Sequence, residues 1–568
     1  MKMRMQLQNV LIMSGLAVML AVSGCSKKKG NTSSGKDKAA SSGGPAQRIQ
    51  KTKDGVIGTA TIAKKGDKRT FQVDVKKGML IDLSLTNAPA TSSSVDYTAD
   101  LIDPQGKRVA RMQDGNGSDG TTTINTRVYG QVAGTYKVVV YDWDNDEVDP
   151  KQPFKLTVRI MADPDSLEPN NGPNLDSNKA LAKPIVLGKP ISAFLEYRGD
   201  EDWYKFQAKK NTIVDVRLTN APATSSPLDY TVELWNATTK HKVWRMGDGN
   251  GSDGTTVLAT RAYVPADGTY YIRVYDWDGD DYDSHAGYKL TVVALPEPDK
   301  NEPNNGGNLD GSRALATPLQ SGKTVICWIE YRGDQDWFKI PADKGKLLDI
   351  TLSNAPATSS PVDYHVELWG QQDKDKRVRV GDGNGSDGTT VLHTVAYVPS
   401  KGMWYLKIFD WDDNEYEIQS PYHLTATVLD DPDKNEPNQG SNFDSSKAMA
   451  KPLPKSKSLV GYVEYRGDSD WFVLEHKGGA LQVNLINAPA TTTPVDLSMT
   501  LYNEAGKKIA GKNDGNGADG TTKVAINQVL PAGKYYLKIF DWDDDEFDLK
   551  QGYSVAYGAQ PRPVPVAK

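Results

Sequence analysis

Apolar and polar residues alternate with a period of two along many short stretches of this chain. In "NTIVDVRLTNA", Val214, Val216 and Leu218 alternate with Asp215 and Arg217. "GTYYIRVYDWD" and "LDYTVELWN" show the same alternation, and glycine-rich turns separate such stretches. This period is typical of strands with one face on a core and the other in water. Because these strands do not alternate with helical patterns, the sequence predicts an all-β protein of antiparallel sandwiches.

The whole pattern recurs four times. "DGNGSDGTT" begins at Asp114, Asp248 and Asp382 and returns as "DGNGADGTT" at Asp514, so the period is about 134 residues. A period of this length fits a whole domain, and 568 residues are too many for one core. We therefore predict a signal peptide at 1–25, a flexible tether at 26–50, a divergent repeat 1 at 51–163, repeat 2 at 164–297, repeat 3 at 298–430, repeat 4 at 431–560 and a tail at 561–568.

The N-terminus carries an export signal. Lys2 and Arg4 precede the apolar stretch "VLIMSGLAVMLAV", and "VSGC" follows, ending at Cys25. This resembles the bacterial lipoprotein signal and implies that Cys25 is lipidated, whereas the alternative is an ordinary secretory signal with a chance cysteine. The Lys-, Ser- and Gly-rich segment behind it is typical of a tether. We expect a protein anchored by lipid in the cell envelope, at the outer membrane if Ser26 acts as a sorting residue.

Net charge and the distribution of reactive residues argue against two classes of function, nucleic-acid binding and catalysis. The net charge of −6 argues against nucleic acid as a partner. The six histidines share no repeat position, and no nucleophile motif or phosphate loop stands out, so we predict no enzyme. Cys327, the second of two cysteines, is interpreted as a small buried hydrophobe without a disulfide.

Each repeat contains an acidic loop after an apolar strand, as in "DWDDDEFD" from Asp541. Oxygen ligands on flexible loops are what Ca²⁺ selects, so we predict that this loop and the "DGNGSDG" loop converge and bind calcium. The alternative is a turn beside a solubilising acidic edge. The predicted ligands are Asp114, Asn116, Asp119, Asp142, Asp144 and Asp146; Asp248, Asn250, Asp253, Asp276, Asp278 and Asp280; Asp382, Asn384, Asp387, Asp410 and Asp412; and Asp514, Asn516, Asp519, Asp541, Asp543 and Asp545.

A family resemblance rests on three motifs in a fixed order. "EPNN" or "EPNQ" is followed by "GDEDWYKF" or a close variant, and "GTYYIRV" or "GKYYLKI" comes near the end of the repeat. This order resembles the bacterial pre-peptidase C-terminal domain, which implies a jelly-roll-like β-sandwich of the kind found beside secreted peptidases and in surface proteins. Repeats 2, 3 and 4 match along their length, and repeat 1 matches in part.

The resemblance extends to clostridial collagenase collagen-binding domains, which hold calcium between an acidic linker and acids on the sandwich. It implies a second calcium site per repeat, although the same motifs also fit a Pro-Asn turn and a capped strand start. Repeat 1 has Asp67 but Arg69 at the second acidic position, so no such site is expected there. The implied ligands are Glu168, Asn170, Asn171, Asp200 and Asp202; Glu302, Asn304, Asn305, Asp334 and Asp336; and Glu436, Asn438, Asp468 and Asp470.

These observations predict a non-catalytic, calcium-binding envelope lipoprotein that presents repeated modules to a polysaccharide or to an envelope or matrix protein. The alternatives are a calcium-rigidified spacer without an outside ligand and an accessory subunit of a secreted peptidase. A Trp in each acidic loop, at 143, 277, 411 and 542, fits stacking on sugars or closing the edge of a core. The three "RGD" triplets share their Asp with the "GDxDW" motif, so the fold explains their recurrence.

Overall fold

The computed structural model describes residues 48–564 except 90–92, 115–120, 173, 223–225, 238–241, 248–254, 307, 357–359, 372–375, 382–388, 488–492 and 514–521. The predicted signal, Cys25 and most of the predicted tether lie outside the described residues. Within them strands predominate and three short helices occur, which confirms the all-β class.

Repeat 1 is a two-sheet sandwich of nine strands. One sheet has the order β1-β2-β9-β4-β7 and the other the order β3-β8-β5-β6. The strands are β1 Arg48–Thr52, β2 Gly55–Ile62, β3 Lys68–Val75, β4 Met79–Thr86, β5 Tyr97–Ile102, β6 Arg108–Gln113, β7 Thr123–Tyr129, β8 Gly134–Asp142 and β9 Asp149–Ala162.

Repeat 2 has the sheets β10-β12-β17-β14-β15 and β11-β18-β13-β16, preceded by a short helix. Its elements are α1 Leu175–Leu181, β10 Lys183–Pro184, β11 Ile191–Leu195, β12 Glu201–Ala208, β13 Thr212–Thr219, β14 Tyr230–Asn236, β15 Lys242–Gly247, β16 Val257–Val264, β17 Gly268–Asp276 and β18 Asp283–Pro296.

Repeat 3 has the same topology, in the orders β19-β21-β26-β23-β24 and β20-β27-β22-β25. Its elements are α2 Leu309–Leu315, β19 Thr317–Pro318, β20 Thr324–Ile329, β21 Gln335–Ala342, β22 Lys346–Ser353, β23 Tyr364–Trp369, β24 Lys376–Gly381, β25 Val391–Tyr397, β26 Gly402–Asp410 and β27 Glu417–Asp430.

In repeat 4 two long strands run through both layers and join them into one seven-stranded sheet, β29-β34-β30-β33-β31-β32 with β28 beside β30. Gly478 and Gly479, with φ of 92° and 91°, lie within β30, where Gly478 is left out of the pairing register with β33. The elements are α3 Phe443–Met449, β28 Lys451–Pro452, β29 Ser458–Gly461, β30 Ser469–Ile486, β31 Leu497–Asn503, β32 Lys508–Asn513, β33 Lys523–Asp541 and β34 Tyr553–Tyr557.

Each repeat has its own hydrophobic core between its two sheet layers. On β13, Val214, Val216 and Leu218 are buried and Arg217 is exposed, as the alternation predicts. Asp215, which the alternation assigns to the polar face, is instead buried and forms ion pairs with Arg217 and Arg261. Cys327 is buried on β20, which agrees with its interpretation as a small hydrophobe.

The strand β1 shows where the pattern fails. It begins at Arg48, so it includes the last three residues of the segment predicted as tether. All five side chains of β1 are exposed, and its pairing with β2 rests on backbone hydrogen bonds alone. A strand without a buried face leaves no hydrophobic period in the sequence.

Aromatic side chains pack across each joint between successive repeats. Tyr129 at the end of β7 lies against Tyr197 of repeat 2, with ring centroids 5.9 Å apart. The same pair recurs as Tyr263 with Tyr331 at 6.0 Å and as Tyr397 with Tyr465 at 6.2 Å. In every case the second tyrosine belongs to the "EYRGD" turn. This turn therefore faces the preceding repeat.

The acidic loop faces the preceding repeat as well. The Arg127 guanidinium lies 5.2 Å from the ring centroid of Tyr282, which belongs to the acidic loop of repeat 2. Arg261 lies 5.0 Å from the Tyr416 ring in the same way, and His393 packs at 5.1 Å against Phe547. Both acidic motifs of a repeat are thus at its joint with the repeat before.

We expect Tyr129→Ala to loosen the first joint. An aromatic pair contributes about 0.5–1.5 kcal/mol beyond its buried area, so amide exchange in residues 194–199 should rise by about two- to tenfold. Hydrogen–deuterium exchange of the whole chain measures this. Val529→Ala is the matched control, because Val529 has the same strand position in repeat 4, is 82% exposed and lies outside the first joint. Unchanged exchange in Tyr129→Ala would contradict the packing role.

Candidate metal site at the joints

The "EYRGD" turn connects β11 to β12 and presents two carboxylates at the joint. The Asp200 N–H donates to the Tyr197 carbonyl oxygen at 3.1 Å, and Gly199 has a φ of 73°, which closes the turn. The Glu196 N–H donates to Asp200 Oδ2 at 3.1 Å. This leaves Asp200 Oδ1 and the whole Glu196 carboxylate directed elsewhere.

The linker before α1 brings further acids to the same place. Asp165 anchors it, because the Leu167 N–H donates to Asp165 Oδ1 at 2.6 Å and the Phe194 N–H donates to Oδ2 at 3.0 Å. Glu168 follows and accepts from the Asn170 N–H at 3.3 Å through Oε2. The linker is therefore fixed to β11 next to the turn.

Three carboxylates converge in the second repeat. One oxygen from each of Glu168, Glu196 and Asp200 lies within 4.8 Å of the others. The same holds in repeat 3, for Glu302, Glu330 and Asp334.

Many oxygens of these clusters have no hydrogen-bond partner although they are buried. Glu196 is 0% exposed and both of its carboxylate oxygens lack a partner. One oxygen of each of Glu168, Asp200 and Asp163 is in the same condition. Among the described residues, no ion pair joins these four acids to Lys, Arg or His. Burying an ionised carboxylate without a partner is strongly unfavourable, so the cluster requires protons or a bound cation.

Repeats 3 and 4 repeat the arrangement. Both carboxylate oxygens of Glu330 and of Glu464 are buried without a partner. The acids around them that also have one such oxygen are Glu297, Glu302 and Asp334 in repeat 3 and Asp431 and Glu436 in repeat 4.

Burial and mutual repulsion shift the proton affinity of the clusters. Desolvation, followed by the Asp200 charge, raises the pKa of Glu168 to about 9. Desolvation also raises the pKa of Asp200 to about 7 and that of Glu196 far above its usual range. The pKa values of Glu302 and Glu436 rise to about 9 and about 8 for the same reasons.

The second acid of "GDxDW" has other partners. Asp202 is fully buried on β12, where Oδ1 accepts from Asn170 Nδ2 and Oδ2 accepts from the Tyr288 hydroxyl. Asn171 donates to the Tyr197 hydroxyl at 3.0 Å. In repeat 3, Asn304 Nδ2 donates to Asp336 Oδ1 at 2.7 Å. These predicted ligands form a hydrogen-bond network under the cluster; the corresponding pairs are Asn438 with Asp470 and Tyr422 with Asp336.

The structure therefore brings Glu168 and Asp200 of the predicted linker site together with Glu196, and Asp163 lies beside Glu196. The sequence prediction omitted Glu196 and Asp163. The repeat pattern of the sequence could have identified Glu196 as a site residue. This Glu recurs at 330 and 464, but repeat 1, where no site is expected, has Ala63 in its place. Of the remaining predicted linker residues, Asn305 lies beside α2 and Asp468 Oδ1 accepts from Gln439 at 3.3 Å.

The acidic loops differ in exposure. Their first residue is buried and holds the loop: Asp142 Oδ1 accepts from the Asp96 N–H at 3.0 Å, and Oδ2 accepts from the N–H groups of Asp146 and Glu147. The loop clusters that converge are Asp142 with Asp146 and Glu147, Asp276 with Asp278 and Asp280, and Asp541 with Asp543, Asp545 and Glu546. Half of these ten side chains are exposed, so water can solvate them.

Convergence with the "DGNGSDG" loop stays a prediction. Asp114 is described, and its N–H donates to the Tyr97 carbonyl oxygen at 3.3 Å, beside the Asp142 loop. Asp410 holds its acidic loop as Asp142 does, because its carboxylate accepts from the N–H groups of Asp363 and Asn414. Asp144 and Asp412 are exposed within the acidic loops of repeats 1 and 3. Asn116, Asp119, Asp248, Asn250, Asp253, Asp382, Asn384, Asp387, Asp514, Asn516 and Asp519 lie outside the described residues.

The loop tryptophans do not close a core. Trp277 is 54% exposed, and the Arg245 guanidinium lies 3.4 Å from its ring centroid. Trp143, Trp411 and Trp542 are also exposed. In the "RGD" triplets, Arg332 and Arg466 donate to the carbonyl oxygens of Asp413 and Asp545, so they tie the turn to the acidic loop of their own repeat.

The sequence matches no protein-family model and no curated protein. Among solved structures, the pre-peptidase C-terminal domain of a collagenase from Bacillus anthracis is similar, with 15% identity over 19% of this chain and 93% of that one and a TM-score of 0.15. A tandem CBM22 pair from Paenibacillus barcinonensis Xyn10C aligns with 44% of this chain and 92% of its own, at 10% identity and a TM-score of 0.16. A Paenibacillus xanthan lyase aligns with 91% of this chain and 54% of its own, at 10% identity and a TM-score of 0.16. Likenesses at this level concern the fold alone.

Across the described residues, no helix has the length and apolar character needed to cross a membrane.

We expect the stability of the chelated protein to fall as pH rises from about 5 to about 9. Because the folded-state pKa values of Glu168 and Glu302 are raised to about 9, the folded protein binds more protons than the unfolded chain in this window. Stability is therefore present at low pH and is lost as pH rises through the folded pKa. Urea unfolding in EDTA measures this, and equal stability at both ends would contradict the burial of these acids.

Proposed function

We propose that this chain is a lipid-anchored, calcium-binding, non-catalytic protein of the bacterial cell envelope. In this proposal Ca²⁺ at each joint fixes successive β-sandwich modules relative to one another. The modules then present their surfaces to a polysaccharide or to an envelope or matrix protein, where several weak contacts act together. Lipid at Cys25 would hold the array at the membrane.

The observation that carries the proposal is the buried glutamate of the "EYRGD" turn. At each of the three joints this side chain, Glu196, Glu330 or Glu464, is fully buried and neither carboxylate oxygen has a partner. The same condition at three independent positions is difficult to attribute to a local packing accident, because each such group is costly.

Calcium is the cation that this donor set favours. The donors are carboxylate oxygens from Asp163, Glu168, Glu196 and Asp200, without a His nitrogen or a Cys sulfur among them. Hard oxygen donors on a linker and a turn suit Ca²⁺, which accepts six to eight oxygens in flexible geometry. Water or backbone carbonyls would complete the shell.

A cation at this place would act on the joint directly. Glu196 and Asp200 flank Tyr197, whose ring packs on Tyr129 of the preceding repeat. The Arg127 side chain also donates from Nη1 to the Glu196 carbonyl oxygen at 3.3 Å. Fixing the two carboxylates therefore fixes the surface that the preceding repeat contacts.

The second candidate function is a spacer that recognises no outside ligand. The first and last repeats favour it, because they differ from the middle ones at the joint positions. Lys64 in repeat 1 replaces Tyr197, and Val529 in repeat 4 replaces Tyr263. Repeats 1 and 4 therefore each lack one half of the tyrosine pair, which fits modules whose main role is to pack on their neighbours.

We expect Glu196→Gln to remove one calcium ion per chain. The amide keeps the shape of the side chain but loses its charge, so calcium uptake at the first joint should fall sharply while the other joints remain loaded. In EDTA near pH 8 the same variant should be more stable than the parent, because Glu196 must take up a proton when it is buried, whereas the neutral amide needs none. Metal analysis after dialysis and urea unfolding give the two readouts.

Glu475→Gln is the matched control, because Glu475 is exposed on β30 and belongs to no cluster. It should change neither readout. If the parent protein binds no calcium, or if Glu196→Gln keeps the full complement, the proposed function is wrong.

We expect Cys25→Ser to release the protein from membranes. Without the acyl chains the tether has no anchor, so the variant should move from the detergent phase to the aqueous phase in a phase-separation assay. Cys327→Ser should stay with the detergent phase. Equal partitioning of parent and Cys25→Ser would contradict lipidation.

A further inference from the structure

A groove of about 710 Å³ lies at the joint between repeats 1 and 2. Repeat 1 contributes the turn between β5 and β6, strand β6 and the end of β7. Repeat 2 contributes the turn that contains Tyr197 and Arg198. The groove is therefore lined mainly by repeat 1 and completed by repeat 2.

The groove carries positive charge in a chain that is negative overall. Its lining includes Lys107, Arg108, Arg111, Arg127 and Arg198, and a single acid, Asp103. A cleft lined by one sign of charge concentrates the field and attracts ligands of the opposite sign.

Part of that charge is neutralised within the protein. Arg111 donates to both oxygens of Asp100 at 2.7 and 3.0 Å, and Arg127 pairs with Asp82 at 3.4 Å. Asp103 is buried and accepts from the N–H groups of its own turn.

The remaining cations are available to a ligand. Among the described residues, the exposed side chains of Lys107 and Arg198 have no hydrogen bond or ion pair, and exposed Arg108 approaches Asp100 only to 4.0 Å. Arg332 and Arg466, the counterparts of Arg198, are instead bonded to their acidic loops. Arg198 therefore lacks the hydrogen bond to the acidic loop that Arg332 and Arg466 form in repeats 3 and 4.

Amide groups accompany these cations. Gln105, Gln113 and Gln131 line the groove and are exposed, and no hydrogen bond of their side chains is found within the described part of the chain. Guanidinium and ammonium groups bind carboxylates, and amides both donate to and accept from hydroxyls. Together these groups suit a ligand that bears carboxylates and hydroxyls on one chain.

The joint between repeats 3 and 4 has a smaller groove of about 560 Å³ in the corresponding place. Lys344, Arg377 and Arg466 line it, but so does Glu436 of the candidate cation site. Its charge is therefore less uniform, and the first groove is the better candidate for an anionic ligand.

We propose that the groove at the first joint binds an acidic polysaccharide, with Lys107, Arg108 and Arg198 on its carboxylates and the three glutamines on its hydroxyls. This names the class of partner for the proposed binding function and rests on it. Because both repeats line the groove, the site would depend on the closed joint.

The test uses the whole chain with calcium present and an oligosaccharide of hyaluronan, which bears glucuronate, as the probe in titration calorimetry. The parent should bind it, and an uncharged chitin oligosaccharide of equal length should bind far more weakly. Lys107→Gln combined with Arg108→Gln should weaken binding by at least about tenfold, since a hydrogen bond to a charged group contributes about 1.5–3 kcal/mol.

Lys51→Gln combined with Lys53→Gln is the matched control, because it removes the same charge from exposed positions outside the groove. It should change affinity by less than about twofold, given the screening of exposed charges at physiological salt. Equal losses in both double variants would overturn the groove as the site. If the parent does not bind hyaluronan, or if it binds an oligoglutamate peptide more tightly, the proposal that the ligand is an acidic polysaccharide is wrong.

Calcium uptake measured on the same samples separates the two proposals. The groove variants leave the acid clusters intact and should load calcium like the parent. Normal calcium uptake without hyaluronan binding overturns the groove inference alone, whereas hyaluronan binding without calcium uptake overturns the calcium proposal alone.

Discussion

The buried carboxylates at the joints are the constraint on which the arrangement of the repeats depends. Removing an ionised carboxylate from water costs several kcal/mol even after relaxation, and a hydrogen bond to a charged group returns only about 1.5–3 kcal/mol. In repeat 2 the two oxygens of Glu196 and single oxygens of three neighbours receive no such bond. Protonation or cation binding must therefore accompany folding of the joint, and the free energy of that binding is part of the stability of the folded array.

The divergence of the terminal repeats follows from the joint. A middle repeat contributes an acidic turn and a loop aromatic towards the repeat before it and a tyrosine towards the repeat after it. Repeat 1 has Ala63 and Val148 where repeat 2 has Glu196 and Tyr282. Repeat 4 has the exposed Val529 where repeats 1 to 3 have Tyr129, Tyr263 and Tyr397. The departure of repeat 1 from the motif order of repeats 2 to 4 thus coincides with the absence of one half of this interface.

The sequence predicts the strands well because alternation records burial directly. Where a strand buries nothing, as β1 does, the sequence contains no such record. The candidate site was predicted only in part for a related reason. The family resemblance implies that Asp200 and Asp202 both act as ligands, but Asp200 lies in a turn and Asp202 in a strand, so their side chains meet different partners. Glu196 lies at the end of a strand, where the alternation does not distinguish a buried ligand from a surface acid.

Five successive residues of the "EYRGD" turn serve several purposes at once. Glu196 and Asp200 belong to the acid cluster, Tyr197 packs on the preceding repeat, and Arg198 lines the groove that the two repeats form. Because one short turn holds all of them, a change in one contact moves the others. If a cation stabilises the turn in its packed position, closure of the joint must strengthen cation binding to the same extent, since coupling between two binding events is reciprocal. A ligand that binds Arg198 in the groove would be coupled to the same turn. Cation binding, closure of the joint and ligand binding would then each strengthen the other two.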